Sequence, residues 1–383
     1  MPWMETCVMD QKIQMIGDWL DREYDITELS KMYAISRKTV YKWIARYEAE
    51  GVNGLEERTR VPWSHPNATP SEIAAQILVV KGRHMKWGPK KVVGWLRNKY
   101  PDRKWPANST TSEILKKEGL VRSRKRKRRT PPYTRPFLGS EETNAVWSGD
   151  FKGQFRMGDG KLCYPLTLSD NYSRYLLGCW GLSRPTYEQT RPLFEYAFRE
   201  YGLPEAIRTD NGAPFASVAL GGLSRLAVWL IKLGIRPERI DTGHPEQNGR
   251  HERMHRTLKE SAISPPRHNL AEQQRAFERF TKEFNHERPH EALGQKTPGS
   301  VYRRSPREYP AKIPSVEYAG DLIIRQVRHN GDIKWRGRRI YISEALAGEA
   351  IGLKQMDNYY WEVYFSFLPL GILDESIMRI TPL

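Results

Sequence analysis

Apolar residues recur at near-helical spacing from Val8 through Ile13, Ile16 and Trp19 to Leu20, which predicts a helix over 8–20. A second, shorter helix follows Asp25, from Ile26 to Tyr33, and ends in a turn at Ala34-Ile35. Ser36 is a good N-cap for a third helix, in which Val40, Ile44 and Tyr47 share one face while Arg37, Lys38, Lys42 and Arg46 point elsewhere. Gly51 ends it as a C-cap would. Short helices, a tight turn and a basic outer face on the last helix suit a helix-turn-helix; the plainer alternative is a three-helix bundle with a solvated basic face. Residues 52–68, with Pro62 and His65-Pro66, read as linker. Thr69-Pro70-Ser71-Glu72 then has the form of a capping box opening Ile73 to Lys81. Gly88-Pro89 opens a helix through Val92, Val93 and Leu96, and Ser109 or Ser112 is a cap for one ending at Gly119, a second helix-turn-helix pattern.

The period changes from Ala145 onward. Val146 to Phe155, Lys161 to Leu168 and Tyr175 to Trp180 read as strands, the first two joined by a turn at Met157-Gly158-Asp159-Gly160. A helix from Thr186 to Tyr201 opens with a Thr-x-x-Gln box, and Pro192 either kinks it or marks its true start. A strand at Ala206 to Thr209, a helix at Leu223 to Leu233, a strand at Arg239 to Asp241, and helices over about Gly249 to Ser261 and Ala271 to His286 complete an α/β pattern. It predicts a mixed five-stranded sheet with helices on both faces. After Tyr309, Leu322-Ile323-Ile324, Ile340-Tyr341-Ile342 and Tyr359 to Phe367, separated by Gly331, Gly337 and Gly352, suggest a small β-barrel. The expected division is 1–60, 69–121, a linker 122–144, 145–309 and 310–383.

Charge narrows the partners. Across 383 residues, 62 Lys plus Arg face 45 Asp plus Glu, leaving a net charge of +17. That surplus collects polyanions, which favours DNA or RNA over a neutral metabolite. Arg122, Arg124, Lys125, Arg126, Lys127, Arg128 and Arg129 fill seven of eight positions, and Pro131, Pro132 and Pro136 follow. Such a run is an extended linker whose counter-charge is a phosphate backbone; a solubilising stretch and a nuclear-localisation signal are the alternatives. Arg325, Arg328, Lys334, Arg336, Arg338 and Arg339 make the tail basic as well. No run approaches the ~20 apolar residues of a membrane span, and no signal-peptide pattern opens the chain. A cytoplasmic, nucleoid-associated protein without membrane contact is expected. Cys7, Cys163 and Cys179 are too far apart to form a disulfide framework or a paired metal clip, so reduced thiols are expected.

Three acids carry the candidate chemistry. Asp150 lies within the first strand, in Trp147-Ser148-Gly149-Asp150-Phe151, where a carboxylate has to be paired or bound to a cation. Asp210 ends a strand before the Asn211-Gly212 turn, where α/β sheets gather ligand groups. Glu252 opens a helix whose stripe continues with Arg256, Lys259 and Glu260, while Met254 and Leu258 face the core. Converging carboxylates call for hard cations, best a pair of Mg²⁺ ions, with Mn²⁺ as a substitute. Glu246 is the rival third acid, though a helix fixes a ligand better than a loop does. Asp159 and Asp170 read as turn residues, Glu260 as the partner of a basic neighbour, and His244, His251 and His255 as satisfied or DNA-facing histidines.

Trp147 to Lys152, Thr209 to Phe215 and His244 to Lys259 resemble the three acidic motifs of the integrase core of bacterial insertion-sequence transposases and retroviral integrases, the DDE superfamily. Between Asp150 and Asp210 lie 59 residues and between Asp210 and Glu252 lie 41, longer than the family's usual second gap, as an insertion near Ser217 to Leu223 would explain. Phe284 to Leu293, followed by Thr297-Pro298, resembles the stretch that closes this core. The resemblance implies an RNase H-like fold and a two-metal site held by Asp150, Asp210 and Glu252. It implies cleavage of transposon-end DNA to expose 3′-hydroxyls, their transfer into target DNA, and a homo-oligomer on that DNA. Arg256 and Lys259 match positions that contact substrate DNA. The His/Cys zinc domain of retroviral integrases has no counterpart spacing here, which assigns end recognition to the helix-turn-helix units. A DNA-binding regulator with an inactive core, or a simple Mg²⁺ nuclease of the same fold, are the alternatives.

Overall fold

A computed structural model describes residues 7–58, 68–121, 141–217, 220–239, 249–318 and 320–382. The chain divides into two compact units, Met1–Thr69 and Pro70–Leu383.

In the first unit, α1 (Val8–Leu20), α2 (Ile26–Met32) and α3 (Arg37–Glu50) enclose a core of Met15, Ile16, Leu29, Val40, Trp43, Ile44 and Leu55. The helices stand where apolar spacing puts them, but the buried face of α1 is set by Met15 and Ile16, and Val8, Ile13 and Leu20 remain exposed. Asp25 and Ser36 cap α2 and α3, each accepting a backbone N–H of its helix's first turn. The expected linker begins later than residue 52. A 3-10 turn at Gly51–Leu55 folds back on α3, burying Leu55, whose carbonyl accepts from Lys12 Nζ at 3.0 Å.

The second unit opens with α4 (Ser71–Arg83), α5 (Pro89–Lys99) and α6 (Asn108–Lys117), packed around Ile77, Val80, Trp87, Val92, Val93, Leu96, Trp105 and Leu115. Two expected caps are absent. Pro70 occupies the N-cap of α4 and Ala107 that of α6, neither able to cap with a side chain, so Thr69 does not open a capping box and Ser109 and Ser112 lie inside the helix.

A mixed sheet follows: β1 (Val146–Phe151), β2 (Phe155–Arg156), β3 (Leu162–Asp170), β4 (Leu176–Leu182), β5 (Ala206–Thr209) and β6 (Arg236–Arg239). Its main order is β4-β3-β1-β5-β6, with β2 a two-residue extension pairing β3 beside β1. The expected long first strand is therefore broken after Phe151, and the last strand begins at Arg236 and includes Arg239, while residues 240 and 241 of the expected strand lie outside the described residues. β3 and β4 run antiparallel to their neighbours, β1, β5 and β6 parallel. On one face α7 (Tyr187–Tyr201) and α8 (Arg225–Lys232) bury Trp147, Leu166, Leu168, Phe194, Phe198 and Trp229. On the other, α9 (Gly249–Leu258) and α10 (Leu270–His286) bury Cys163, Cys179, Met254, Leu258, Phe277 and Phe284. α7 starts at the Thr186 cap and continues past Pro192, which is not its start.

After the short α11 (Pro298–Val301) the tail is antiparallel β. β7 (Ile323–Gln326), β10 (Ala350–Gln355), β11 (Tyr360–Phe365), β12 (Leu368–Asp374) and β13 (Arg379–Pro382) form one sheet, β8 (Asp332–Trp335) and β9 (Arg338–Tyr341) a second. Among the described residues β7 and β13 remain edges of the larger sheet, so hydrogen bonding does not close a ring. Gly331 and Gly337 make turns at positive φ, whereas Gly352 lies inside β10, where a Cβ would stand 2.7 Å from Leu322 and 2.8 Å from the Tyr318 ring. The tail shares its core with Leu223 and, on α8, with Ala227, Val228 and Ile231.

Candidate active site

β1 and β5 are parallel neighbours with Gly149 opposite Thr209, so Asp150 and Asp210, the next residues, stand side by side where the two strands end. Asp150 is second to last in β1 rather than central. Burial, reinforced by the charges of Asp210 and Glu252, pushes the Asp150 carboxyl up to about 7. Burial also raises Asp210, which accepts the Gly212 N–H at 3.2 Å. Glu252 is exposed in the first turn of α9.

What holds α9 over Asp150 is a buried polar knot. Thr167, directly opposite Asp150 on β3, donates its hydroxyl to the Asp150 carbonyl at 3.1 Å. The same oxygen lies 2.6 Å from His251 Nε2 and 2.7 Å from His255 Nε2. Since the single hydroxyl proton is already used, both rings donate Nε2–H and both Nδ1 atoms carry lone pairs. His251 Nδ1 accepts from Ser169 Oγ at 3.2 Å, and His255 Nδ1 faces Asp150 Oδ2 at 3.7 Å. Burial holds His251 and His255 down to about 3 and about 2, so both are neutral. They are satisfied rather than DNA-facing, one of the two expected alternatives.

Asp150, His251 and His255 bring ligand atoms within 4.8 Å of one another. Three of the four ring nitrogens are committed to Thr167 and Ser169, which leaves the imidazoles as a frame and the carboxylates as donors. A buried carboxyl crowded by two other acids is in the electrostatic condition that a divalent cation relieves, and all-oxygen donors suit a hard one. The residues fit such an ion.

The remaining expected residues divide. Arg256 on α9 and Lys259, which opens the π-helical turn after it, are exposed on the same side as Glu252, with Met254 and Leu258 buried behind them. In the first unit Arg37, Lys38 and Lys42 are exposed, whereas Arg46 is half-buried, its guanidinium 5.0 Å from the Trp43 ring. Arg46 therefore packs, unlike the outward-facing cation expected, because the turn after α3 covers it. In the tail, Arg328 and Arg336 pair with Asp332 and Glu375. Asp159 closes its turn by accepting from Lys161 N–H, and Asp170 accepts from Asn144 and Ser173, both structural as expected. Glu260 acts electrostatically on Arg288. Cys7, Cys163 and Cys179 are free thiols. The basic run Arg122 to Arg129, His244 and Glu246 lie outside the described residues. Sequence reasoning missed Thr167 and Ser169, although they alternate with Leu166 and Leu168, polar on one face of β3 and apolar on the other. Among the described residues no helix is long and apolar enough to cross a membrane.

Integrase core domain models match residues 140–245 and 233–298, a helix-turn-helix domain model residues 11–60, and a homeodomain-like model residues 39–115. The chain is similar to the insertion element IS476 uncharacterized 39.2 kDa protein of Xanthomonas euvesicatoria, 24% identical over 239 residues, covering 61% of this chain and 65% of that protein. It is also similar to the insertion element IS407 uncharacterized 31.7 kDa protein of Burkholderia multivorans, 26% identical over 208 residues, covering 52% of this chain and 70% of that protein. The matches thus span about two thirds of these relatives' lengths. Among solved structures, the HTLV-2 integrase catalytic core domain in complex with magnesium aligns at a TM-score of 0.35 and 18% identity, covering 43% of this chain and 99% of that one.

Proposed function

With an integrase core joined to helix-turn-helix segments, this chain belongs to the DDE/integrase superfamily beside insertion-element proteins, and from that premise we propose that it is a DNA transposase. It binds the ends of its element, cleaves them to expose 3′-hydroxyls and joins those to target DNA. The observation that carries this reading is the juxtaposition of Asp150 and Asp210 at adjacent strand ends with the charge of Glu252 bearing on Asp150.

Asp150, Asp210 and Glu252 would hold two Mg²⁺, or Mn²⁺, which when bound supply activation of the attacking oxygen and stabilisation of the leaving one. The protein's own residues supply position. Thr167, His251 and His255 hold Glu252 in register with Asp150, and Arg256 and Lys259 grip the phosphate backbone beside the scissile bond. In the first step water attacks the end phosphodiester, the P–O3′ bond breaks and the 3′-oxygen takes a proton. In the second, that hydroxyl attacks a target phosphodiester in line, one P–O bond forming as another breaks. Arg37, Lys38, Lys42 and the basic run 122–129 bind duplex ends, the exposed tail cations touch DNA through a small barrel formed by both sheets, and two ends require at least two protomers. A cytoplasmic, nucleoid-associated location follows from that work.

The test incubates purified protein with labelled duplexes copied from the DNA flanking its gene and a target plasmid, with Mg²⁺ or EDTA, beside Asp150→Asn, Asp210→Asn and Glu252→Gln. Metal-dependent joining abolished in all three variants, with end binding retained, is expected. Tight binding with neither cutting nor joining under any metal would make the chain a regulator, and cutting without joining a nuclease.

A further inference from the structure

β1 pairs one residue beyond its last strand position. Lys152 N–H donates to the Pro165 carbonyl at 2.9 Å, next in register after Phe151 opposite Leu166, so the ladder with β3 runs on through Lys152. The following pair is Phe155 with Cys163. From Lys152 to Phe155 the chain takes three steps while its partner takes two, from Pro165 to Cys163, which makes a β-bulge at Gly153-Gln154, with Gly153 at φ +83°. Pairing breaks directly after Lys152, which leaves this lysine at the open end of the strand, beside the acids.

Alternation fixes the side of the sheet that Lys152 takes. Residues two apart on a strand share a face. Asp150 lies opposite Thr167 and turns its carboxylate toward His255, on the face where Thr167 meets both histidines of α9. Lys152, opposite Pro165, takes that same face one pair farther out. Its charge reaches both Asp150 and His255, as this placement requires. The residue is half-buried, and among the described residues its ammonium makes no ion pair and no hydrogen bond. The acids that share this corner, Asp150, Asp210 and Glu252, are the ones that divalent cations would engage. With those carboxylates committed, the ammonium beside them is left for an anion that enters the site. The phosphodiester under attack is such an anion, and its negative charge grows in the transition state.

We propose that the Lys152 ammonium donates to a non-bridging oxygen of the scissile phosphate, holding it in line during cleavage and again during strand transfer. A lysine on a four-carbon stem suits this work, since it is a point charge that follows the phosphate as its geometry changes. The inference rests on the transposase reading and adds a substrate-contacting cation, delivered from the sheet, to the three acids and to the cations of the α9 stripe.

The test uses the full chain and end duplexes that carry either the normal phosphodiester or one neutral methylphosphonate at the scissile linkage, with binding read by fluorescence anisotropy in Ca²⁺ before any cleavage. The neutral linkage should cost the wild-type protein about fivefold more affinity than it costs Lys152→Gln, because the variant has already lost the partner of that charge. At saturating Mg²⁺ and duplex, Lys152→Gln should slow cleavage and joining on the order of a hundredfold with little change in KM, and Lys152→Arg should recover at least about tenfold of that loss. Mn²⁺ binding without DNA, followed by electron paramagnetic resonance, should tighten in Lys152→Gln, since a repelling charge has left the site. A methylphosphonate that costs both proteins alike, an undiminished rate in Lys152→Gln, or a slower rate accompanied by weaker Mn²⁺ binding would each overturn the contact while end joining by the wild-type protein stands. A wild-type protein that neither cuts nor joins would remove the transposase reading and the contact with it.

Discussion

At the scale of single residues, one hydroxyl organises the site. Thr167 Oγ1 satisfies two buried imidazoles and the Asp150 carbonyl, so Thr167→Val, nearly isosteric, strands two buried donors. We expect about 2–4 kcal/mol of destabilisation, read by urea unfolding, and joining activity reduced far more than DNA affinity. The histidines also predict a pH dependence. His251, His255 and His290 are held by burial to about 3, about 2 and about 3. The unfolded chain takes up these protons near pH 6.5 and the folded protein only far lower, so their contribution is intact above pH 6.5 and declines as pH falls toward 3. At pH 5 it amounts to at most about 2 kcal/mol per histidine. Asp150, raised to about 7, works in the opposite direction, gaining a proton on folding between pH 7 and 3.8. The decline between pH 6.5 and 5 should therefore be shallower in His290→Gln, whose neutral amide cannot titrate, as melting temperatures against pH would show.

At the scale of elements, boundaries depend on side chains that reach one turn, and most were legible for that reason. Ser36, Asp25 and Thr186 cap as their residue type suggests. The caps of α4 and α6 fail because Pro70 and Ala107 occupy the cap positions, one residue from Thr69 and two from Ser109, shifts that periodicity does not resolve. Where α7 ends, Gly202 sits at φ +78° with the Ser305 and Arg307 carbonyls 2.7 and 2.8 Å from where a Cβ would be. Gly202→Ala meets both strain and clash, and should cost about 2 kcal/mol or more in thermal or urea unfolding. β8, β10, β12 and β13 escaped notice because strands of four to seven residues in a basic tail lack a sustained alternation, even though most pair with the next strand along the chain.

At the scale of the molecule, α8 is shared between two cores, its one side packed under the mixed sheet and its other under the tail. A chain ending after residue 309 would uncover Ala227, Val228 and Ile231, so we expect it to aggregate where the full chain stays monodisperse, a difference that analytical ultracentrifugation would read. The net charge of +17 predicts steeply salt-dependent binding to any duplex, the background against which end specificity has to be measured.

The sequence alone pointed to the three candidate acids, the order of the helices and of the main strands of the α/β core, and the basic surplus. Each of these is written in local spacing, in strand-end chemistry or in a sum over the chain, and none needs a distant partner. The tertiary structure decided the rest. Thr167 meets His251 and His255 across 84 and 88 residues, and α5 docks on a stretch about 200 residues away. Arg46 turned inward onto Trp43, and the tail took its core from α8. Such contacts arise when buried faces meet, and the free energy that selects them comes from excluding water and satisfying polar groups across long loops, which no window of neighbouring residues encodes.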